Sequence, residues 1–465
     1  MRFDRNKQLA KDLVIYGLGN IGNKFLMFLL FPVLMFFMEP EELGSYDIPL
    51  EAVFFVLPIV TLQMRESIFR LLVDNNDESY RKHILSTTLF IEGIMFATVL
   101  VIAIFLPFFF SIRYFHLIIL SIYAYSLYEI YLQAVRAVYS STQYALITII
   151  NSVLVIVWVI LFYFVFKRGV EGLFIGNILS RMLSILIIEL PRRKILGSLS
   201  FRAIKKKYAK EILVYALPLL VSAVAFGIIA SPGKYIVNYF YGDEANGIFA
   251  GAQKYVSILL IIGTAFYQAW QVTAIKNYKE HGSERFFSEV FNKYVVILCL
   301  LALCIPFGLR SFPFLMGPEF HQSIDLLYIY CVSSVFFGFS LFFETIYQCT
   351  KQTSKILYSI VSCAVFAPLI TFFLTKYFGL QGSIAALTIS YAYLFVFRFF
   401  QAKFMLPIRL KKEFYLSILL LTTGGIIFYC THNIFLDYAV LFIATLLLLY
   451  FFLISRKYTG KKMNG

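Results

Sequence analysis

The sequence predicts an all-α polytopic membrane protein of about fourteen transmembrane helices, arranged as two six-helix lobes in a parallel repeat followed by two C-terminal helices. Three observations predict it. First, 60% of the 465 residues are hydrophobic and 14% are charged, against roughly 45–50% apolar content in soluble domains. Second, the apolar residues fall into runs of about 20, the length that carries a helix across a hydrocarbon core of ~30 Å. Third, Lys and Arg collect in alternate loops, the pattern that fixes the orientation of a multi-pass chain.

The runs fall at 13–37, 43–72, 84–110, 114–138, 145–166 and 170–190 in the first half. The first of them is too long for the core of a signal peptide and has no small-residue cleavage site after it, so it reads as a membrane helix. A basic stretch follows at 192–210, with eight cations and no acid. The second half repeats the design at 212–239, 248–272, 290–309, 324–346, 356–377 and 382–404, and a trailing pair lies at 414–430 and 435–454. The expected organisation is therefore an N-terminal lobe (1–191), a cytoplasmic basic loop (192–210), a C-terminal lobe (211–406) and two trailing helices with a cytoplasmic tail (407–465).

Loop charge tests this count, because a missed helix would invert the bias from that point on. One side holds Arg2, Arg5, Lys7 and Lys11, then Arg81 and Lys82, the basic stretch, Lys276, Lys279 and Arg285, Lys351 and Lys355, Arg409, Lys411 and Lys412, and the Lys/Arg-rich C-terminus. The other side holds Arg113, Lys167, Arg168, Arg310 and Lys376, with acidic turns at 39–42 and 243–244. The bias does not invert, so both termini are expected in the cytoplasm. Topology thus absorbs most of the net charge of +15, and with no soluble module around the basic stretch a nucleic-acid partner is not expected. The six cysteines lack CxxC spacing and the five histidines are scattered, so neither a disulfide framework nor a metal site or other cofactor is expected.

The halves share a pattern. Lys24 is followed by Glu42, Gly44 and Tyr46, and Lys234 by Glu244, Gly247 and Phe249. Both halves start on the same side, so the repeat is parallel, with an axis along the membrane normal and a site expected between the halves. Gly17, Gly19 and Gly22 match the spacing of a dinucleotide fingerprint, but no strand precedes them and no βαβ unit surrounds them. Small residues that let membrane helices approach explain them better.

Ionisable residues inside the runs carry the functional information, because a charge at the bilayer centre costs about 2.5–3.5 kcal/mol even on a lenient scale. Lys24 and Arg181 lie too deep to snorkel easily and are expected to line a cavity, the alternative being a purely structural ion pair. Lys234 and Lys254 lie nearer the outer ends, where facing the cavity and snorkelling are both open readings. Asp47, Glu51, Pro58 and Arg65 follow at offsets of four, seven and seven, which puts them on one face of a continuous helix. Lys254, Ser257, Thr264, Gln268 and Gln271 form a second polar stripe in the other half, and two such stripes suggest a water-filled cleft.

The segments GNKFLMFLLFPVLMFFMEPEELGSYD at 22–47, LQAVRAVYSSTQYA around Arg136, and YALPLLVSAVAFGIIASPGKYIVNYFYGDEANGIFAGAQK at 215–254 resemble the bacterial polysaccharide exporters of the multidrug/oligosaccharidyl-lipid/polysaccharide (MOP) superfamily, which include O-antigen flippases. The resemblance covers nearly the whole chain. It implies a monomeric, non-enzymatic flippase of the cytoplasmic (inner) membrane that moves a polyprenyl-diphosphate-linked oligosaccharide to the outer leaflet by alternating access. Members often carry an acid before the cation on helix 7, whereas Pro232-Gly233-Lys234 keeps the cation alone. The residues agree with the implied charge. Lys24, Arg65, Arg181, Lys234 and Lys254 are candidate ligands for a diphosphate, and Asp47 and Glu51 are candidates for coupling to a proton or sodium ion. The alternatives are a multidrug or other lipid-linked precursor exporter of the same superfamily, disfavoured by the surplus of cations over acids, and a membrane glycosyltransferase or polymerase, disfavoured by the short outer loops.

Overall fold

The computed structural model describes residues 22–75, 77–108, 112–139, 141–191, 193, 195–352, 354–431 and 433–463. The described residues form helices joined by short turns: α1 (Gly22–Met35), α2 (Pro40–Val60), α3 (Met64–Asp74), α4 (Glu78–Phe105), α5 (Phe115–Val138), α6 (Ser141–Ile160) and α7 (Gly169–Glu189). After two short 3₁₀ turns come α8 (Lys206–Ala230), α9 (Pro232–Asn277), α10 (Ser283–Ser311), α11 (Ile324–Cys349), α12 (Ser354–Lys403), α13 (Lys412–Cys430) and α14 (Ile434–Met463). Local chemistry sets several starts. Pro40 opens α2 with Glu41 and Glu42 in the first turn, where proline costs no hydrogen bond and acids favour the helix dipole. Asp77 caps α4 by accepting from the Tyr80 N–H at 3.0 Å.

Ten helical stretches are long and apolar enough to cross a membrane, and the shorter apolar helices Gly22–Met35 and Ile434–Tyr450 add two. Two of the ten, Lys206–Asn277 (72 residues) and Ser354–Lys403 (50 residues), far exceed the ~20 residues of one crossing. Each reverses at a glycine in the left-handed region, Gly242 (φ 80) and Gly379 (φ 62), a conformation open to glycine at little cost. With both divided there, the described helices supply the expected fourteen crossings of a polytopic membrane protein.

The second crossing corrects the sequence reading. Expected as one helix over 43–72, it breaks after Val60: Leu62 (φ 45) and Gln63 (φ 54) are left-handed, and the Gln63 N–H reaches back to the Pro58 carbonyl at 3.1 Å. Pro58 has no N–H for the ladder, and the chain restarts as α3. Asp47, Glu51 and Arg65 therefore do not share one face of a continuous helix. The seventh crossing likewise breaks at Ser231 before Pro232. Residues 17–21 of the glycine-rich motif and the cations before Gly22 lie outside the described residues, and a Cβ on Gly22 itself would meet nothing within 4 Å.

The chain divides into two compact units, residues 1–30 with 45–231, and residues 31–44 with 232–465. The first is cored by aliphatic side chains, among them Met64, Ile68, Leu85, Ile130, Val135 and Ile188. The second is cored by rings: Phe291 meets Phe343 at 4.9 Å and Phe342 at 5.0 Å, and Trp270 stacks on Phe342 at 4.9 Å. In this unit the Arg310 guanidinium on α10 holds Asp437 on α14 with its Nε at 2.7 Å from Oδ2, which ties the trailing pair to the bundle.

The repeat is visible in the backbone. A Cβ on Gly44 would lie 1.8 Å from the Asp243 carbonyl oxygen, and one on Gly247 would lie 1.7 Å from that of Pro40. Each glycine thus receives the carbonyl four residues before the other. This register aligns Tyr46 with Phe249, Asp47 with Ala250 and Glu51 with Lys254. Two further matches hold, each in its own register. Glu129, Gln133 and Arg136 on α5 match Glu344 and Gln348 on α11 with Lys351 just after it, and Gly169, Gly172 and Ser180 match Gly379, Gly382 and Ser390.

Candidate functional site

In the first unit, Arg181 lies on α7 about three turns from its start. Its Nη1 donates to the Asn177 carbonyl at 2.8 Å and to Asn177 Oδ1 at 3.0 Å, and the guanidinium sits 3.4 Å from the centroid of the Tyr125 ring on α5. Asn177 is itself fixed: its amide donates to the Tyr46 hydroxyl at 3.2 Å and to the Leu173 carbonyl at 2.9 Å, and its Oδ1 accepts from the Tyr125 hydroxyl at 3.4 Å. Tyr46 on α2 packs edge-on against Phe174 at 4.9 Å. Every group seen to hold Arg181 is neutral, and among the described residues its buried Nε has no hydrogen-bond partner. A half-buried guanidinium held by amide and ring keeps its charge for an anion.

Arg65 is held differently. Its Nη1 lies 3.0 Å from Glu129 Oε2 on α5 and its Nε lies 3.6 Å from Glu66 Oε1. Two carboxylates therefore match its single charge. Glu129 is one turn from Tyr125, so α5 joins the Arg181 and Arg65 clusters. Asp47, next to Tyr46, is 1% exposed. Glu51 accepts from the Ser231 hydroxyl at 2.5 Å, and Lys24 is half-buried on α1.

In the second unit, Lys234 is buried at the start of α9, where Gly233 allows the Ser383 hydroxyl of α12 to approach. Lys254 is half-buried, with Nζ 4.2 Å from the centre of the Phe31 ring. Among the described residues the most deeply buried cation is one the sequence reading passed over. Arg398 on α12, 2% exposed, pairs through Nη1 with Glu344 Oε2 at 2.9 Å and donates to Ser340 O and Ser359 Oγ, each at 3.1 Å. Glu344 also accepts from the Tyr267 hydroxyl at 3.0 Å. Tyr267 accepts from Gln348 at 2.9 Å, and Gln348 accepts from Gln271 at 2.6 Å. The inner end of the predicted α9 stripe thus joins a closed network.

Glu92 on α4 is another missed acid, 2% exposed near the middle of its crossing. The rule that selected Lys24 and Arg181, a charge deep in an apolar run, also selects Glu92. Arg398 and Glu344 lie close to the ends of their runs, where a charge reads as an anchor.

A family profile described as polysaccharide biosynthesis protein matches residues 9–271. No curated protein sequence matches the chain. Among solved structures, the lipid II flippase MurJ in an inward closed conformation superposes with a TM-score of 0.73 at 15% identity, covering 96% of this chain and 99% of that one. An inward-facing multidrug resistance MATE family transporter of the MOP superfamily gives 0.61 at 14% identity, covering 89% and 95%. A point mutant of the Vibrio cholerae MATE transporter VcmN also gives 0.61 at 14%, covering 88% and 99%. At such identities the likeness is one of fold.

Proposed function

The chain belongs to the polysaccharide biosynthesis protein family and has the fold of MOP-superfamily transporters, and we propose that it is a flippase carrying a polyprenyl-diphosphate-linked oligosaccharide from the cytoplasmic to the outer leaflet by alternating access. The observation that carries this reading is Arg181, a cation inside a membrane-length helix whose partners are an amide, a carbonyl and a ring. Uncompensated positive charge in a low-dielectric bundle suits a diphosphate, and a guanidinium binds phosphate oxygens in pairs. Lys24 on α1, and Lys234 and Lys254 on α9, are the further cations that would follow the head group. Arg65 would act with Glu129 and Glu66 already at hand, so its part is the weaker one. The family description supports a polysaccharide precursor as cargo, and the fold neighbour MurJ, a lipid II flippase, supports a lipid-linked one.

In this reading the chain is a monomer in the bacterial inner membrane, with residues 192–210 and both termini in the cytoplasm. Asp47 and Glu51 take a proton or sodium ion from the outer side. The orientation is testable with single cysteines at two exposed positions after the six native cysteines are replaced: Lys206→Cys should be protected from an impermeant reagent on intact cells and Glu244→Cys labelled. For the cargo, Arg181→Ala should abolish surface polysaccharide while the protein still accumulates in the membrane, and lipid-linked precursor should build up on the inner leaflet. Normal surface polysaccharide in that variant would make Arg181 structural and overturn the reading.

A further inference from the structure

Beside the first unit's core lies a groove that transport does not explain. It has a volume of about 490 Å³ and is walled on one side by α4, through Leu89, Phe90, Gly93 and Ile94, and on the other by the basic segment, through Leu199 and Phe201. The basic segment is a built element here. Glu189 at the end of α7 accepts the N–H groups of Ile195 at 3.0 Å and Leu196 at 2.6 Å, and its other oxygen takes the Tyr131 hydroxyl at 3.0 Å. The Ser200 N–H donates to Ser86 Oγ at 3.1 Å, and His83 Nδ1 lies 2.6 Å from the Ala203 carbonyl. These bonds lay residues 195–204 against the end of α4 and leave Phe201 88% exposed.

The groove is apolar along its length and cationic at its mouth. On α4 the residues 82, 86, 89–90, 93 and 97 follow one face, so the exposed Lys82 stands one turn beyond Ser86 on the line of the groove, with Glu78 a further turn out. From the opposite wall, Arg202 stands between the lining residues Phe201 and Ile204, and Lys205 follows; both are exposed. From Ser86 to Ala97 the lining runs about 17 Å along α4 at 1.5 Å per residue, away from the cations and into the apolar part of the helix. Gly93 keeps the groove open at its middle, since a Cβ there would meet nothing within 4 Å.

We infer that this groove is a binding site for an anionic phospholipid of the leaflet on the basic segment's side, with one acyl chain along α4 and the phosphate among Lys82, Arg202 and Lys205. An apolar slot with a cationic mouth at a helix end matches both parts of such a lipid, whereas a free phosphate would leave the slot empty and a zwitterionic lipid would gain little from the cations. Bound there, the lipid would brace the segment that joins the end of α7 to α8.

The test is native mass spectrometry of the full-length protein in detergent, supplied in turn with phosphatidylglycerol and phosphatidylcholine. The expected result is preferential retention of phosphatidylglycerol. Gly93→Leu, which fills the slot without touching the core, should remove that retention. Arg202→Gln and Lys205→Gln, both on the surface and harmless to folding, should each lower it about fivefold. Equal retention of the two lipids, or phosphatidylglycerol retention unchanged by Gly93→Leu and by the charge variants, would overturn the proposal. So would displacement of phosphatidylglycerol by polyprenyl diphosphate, which would give the groove to the cargo's tail. The readout is lipid mass, so it stands apart from any result on export.

Discussion

Arg181 in the first unit and Arg398 in the second both lie inside membrane-length helices, yet only Arg398 meets a carboxylate. Arg398 is sealed, with Glu344 on its guanidinium, two further oxygens accepting from it, and 2% of its surface exposed. Arg181 is half-open and held by neutral groups. The contrast separates two uses of a membrane arginine. A sealed pair locks α11 to α12 and leaves no charge over for a ligand, while a cation fixed by an amide and a ring is oriented and still able to bind an anion. The aligned glycines sharpen the comparison, because the registers of the two units put Glu51 where the other has Lys254 and Asp47 where the other has Ala250. The repeat conserves backbone geometry and lets charge diverge.

The largest expected effect breaks the sealed pair. Arg398→Ala leaves the half-buried Glu344 without its cation, and Glu344→Ala leaves Arg398 buried without its anion; each should cost up to about 3–5 kcal/mol and show as lost accumulation or a strongly lowered thermal midpoint in detergent. Arg181→Ala removes no ion pair and should leave that midpoint near the parent's. If the two arginine variants melt alike, the distinction between a structural and a ligand-binding cation fails.

A smaller effect is expected where the repeat's backbones touch. Gly247→Val would drive a side chain into the Pro40 carbonyl, and Gly44→Val into that of Asp243; such overpacking typically costs about 1–3 kcal/mol. The two variants should be destabilised to a similar degree, because each glycine receives the carbonyl four residues before the other. Gly93→Val, where a Cβ meets nothing, is the control, and an equal loss there would show that the glycine contacts are not what the backbone geometry indicates.

How far these features were legible varies with their cause. Hydropathy and loop charge predict the fourteen crossings because a bilayer imposes length and sign on the sequence directly. The break after Val60 was not legible, since Leu62 and Gln63 are not residues that favour left-handed backbone and Pro58 announced only a bend. Arg181 was legible from depth alone. That its partners among the described residues are neutral was not, because that depends on which faces of α5 and α7 meet. Glu344 and Arg398 were missed because each lies near a run's end, where only packing between α11 and α12 distinguishes a buried pair from two anchors.

The smallest stability effect should come from Glu51, and it bears on coupling. Its carboxylate accepts from the Ser231 hydroxyl at the break between α8 and α9. Glu51→Gln keeps an oxygen to accept that bond, so the loss or weakening of this one bond should account for no more than about 1 kcal/mol of any change in stability. What the amide cannot do is take up a proton or bind a cation as a carboxylate does. With Asp47→Asn added, α2 loses both coupling candidates while Glu41 and Glu42 of its first turn, its backbone and the Gly44 contact are untouched. If these acids couple transport, vesicles carrying the double variant should keep cargo binding but lose the dependence of flipping on an imposed proton or sodium gradient. Unchanged gradient-driven flipping would assign Asp47 and Glu51 to the hydrogen bonding of α2 alone. The divergence at Glu51 and Lys254 would then be a difference in packing between the two units and not one of function.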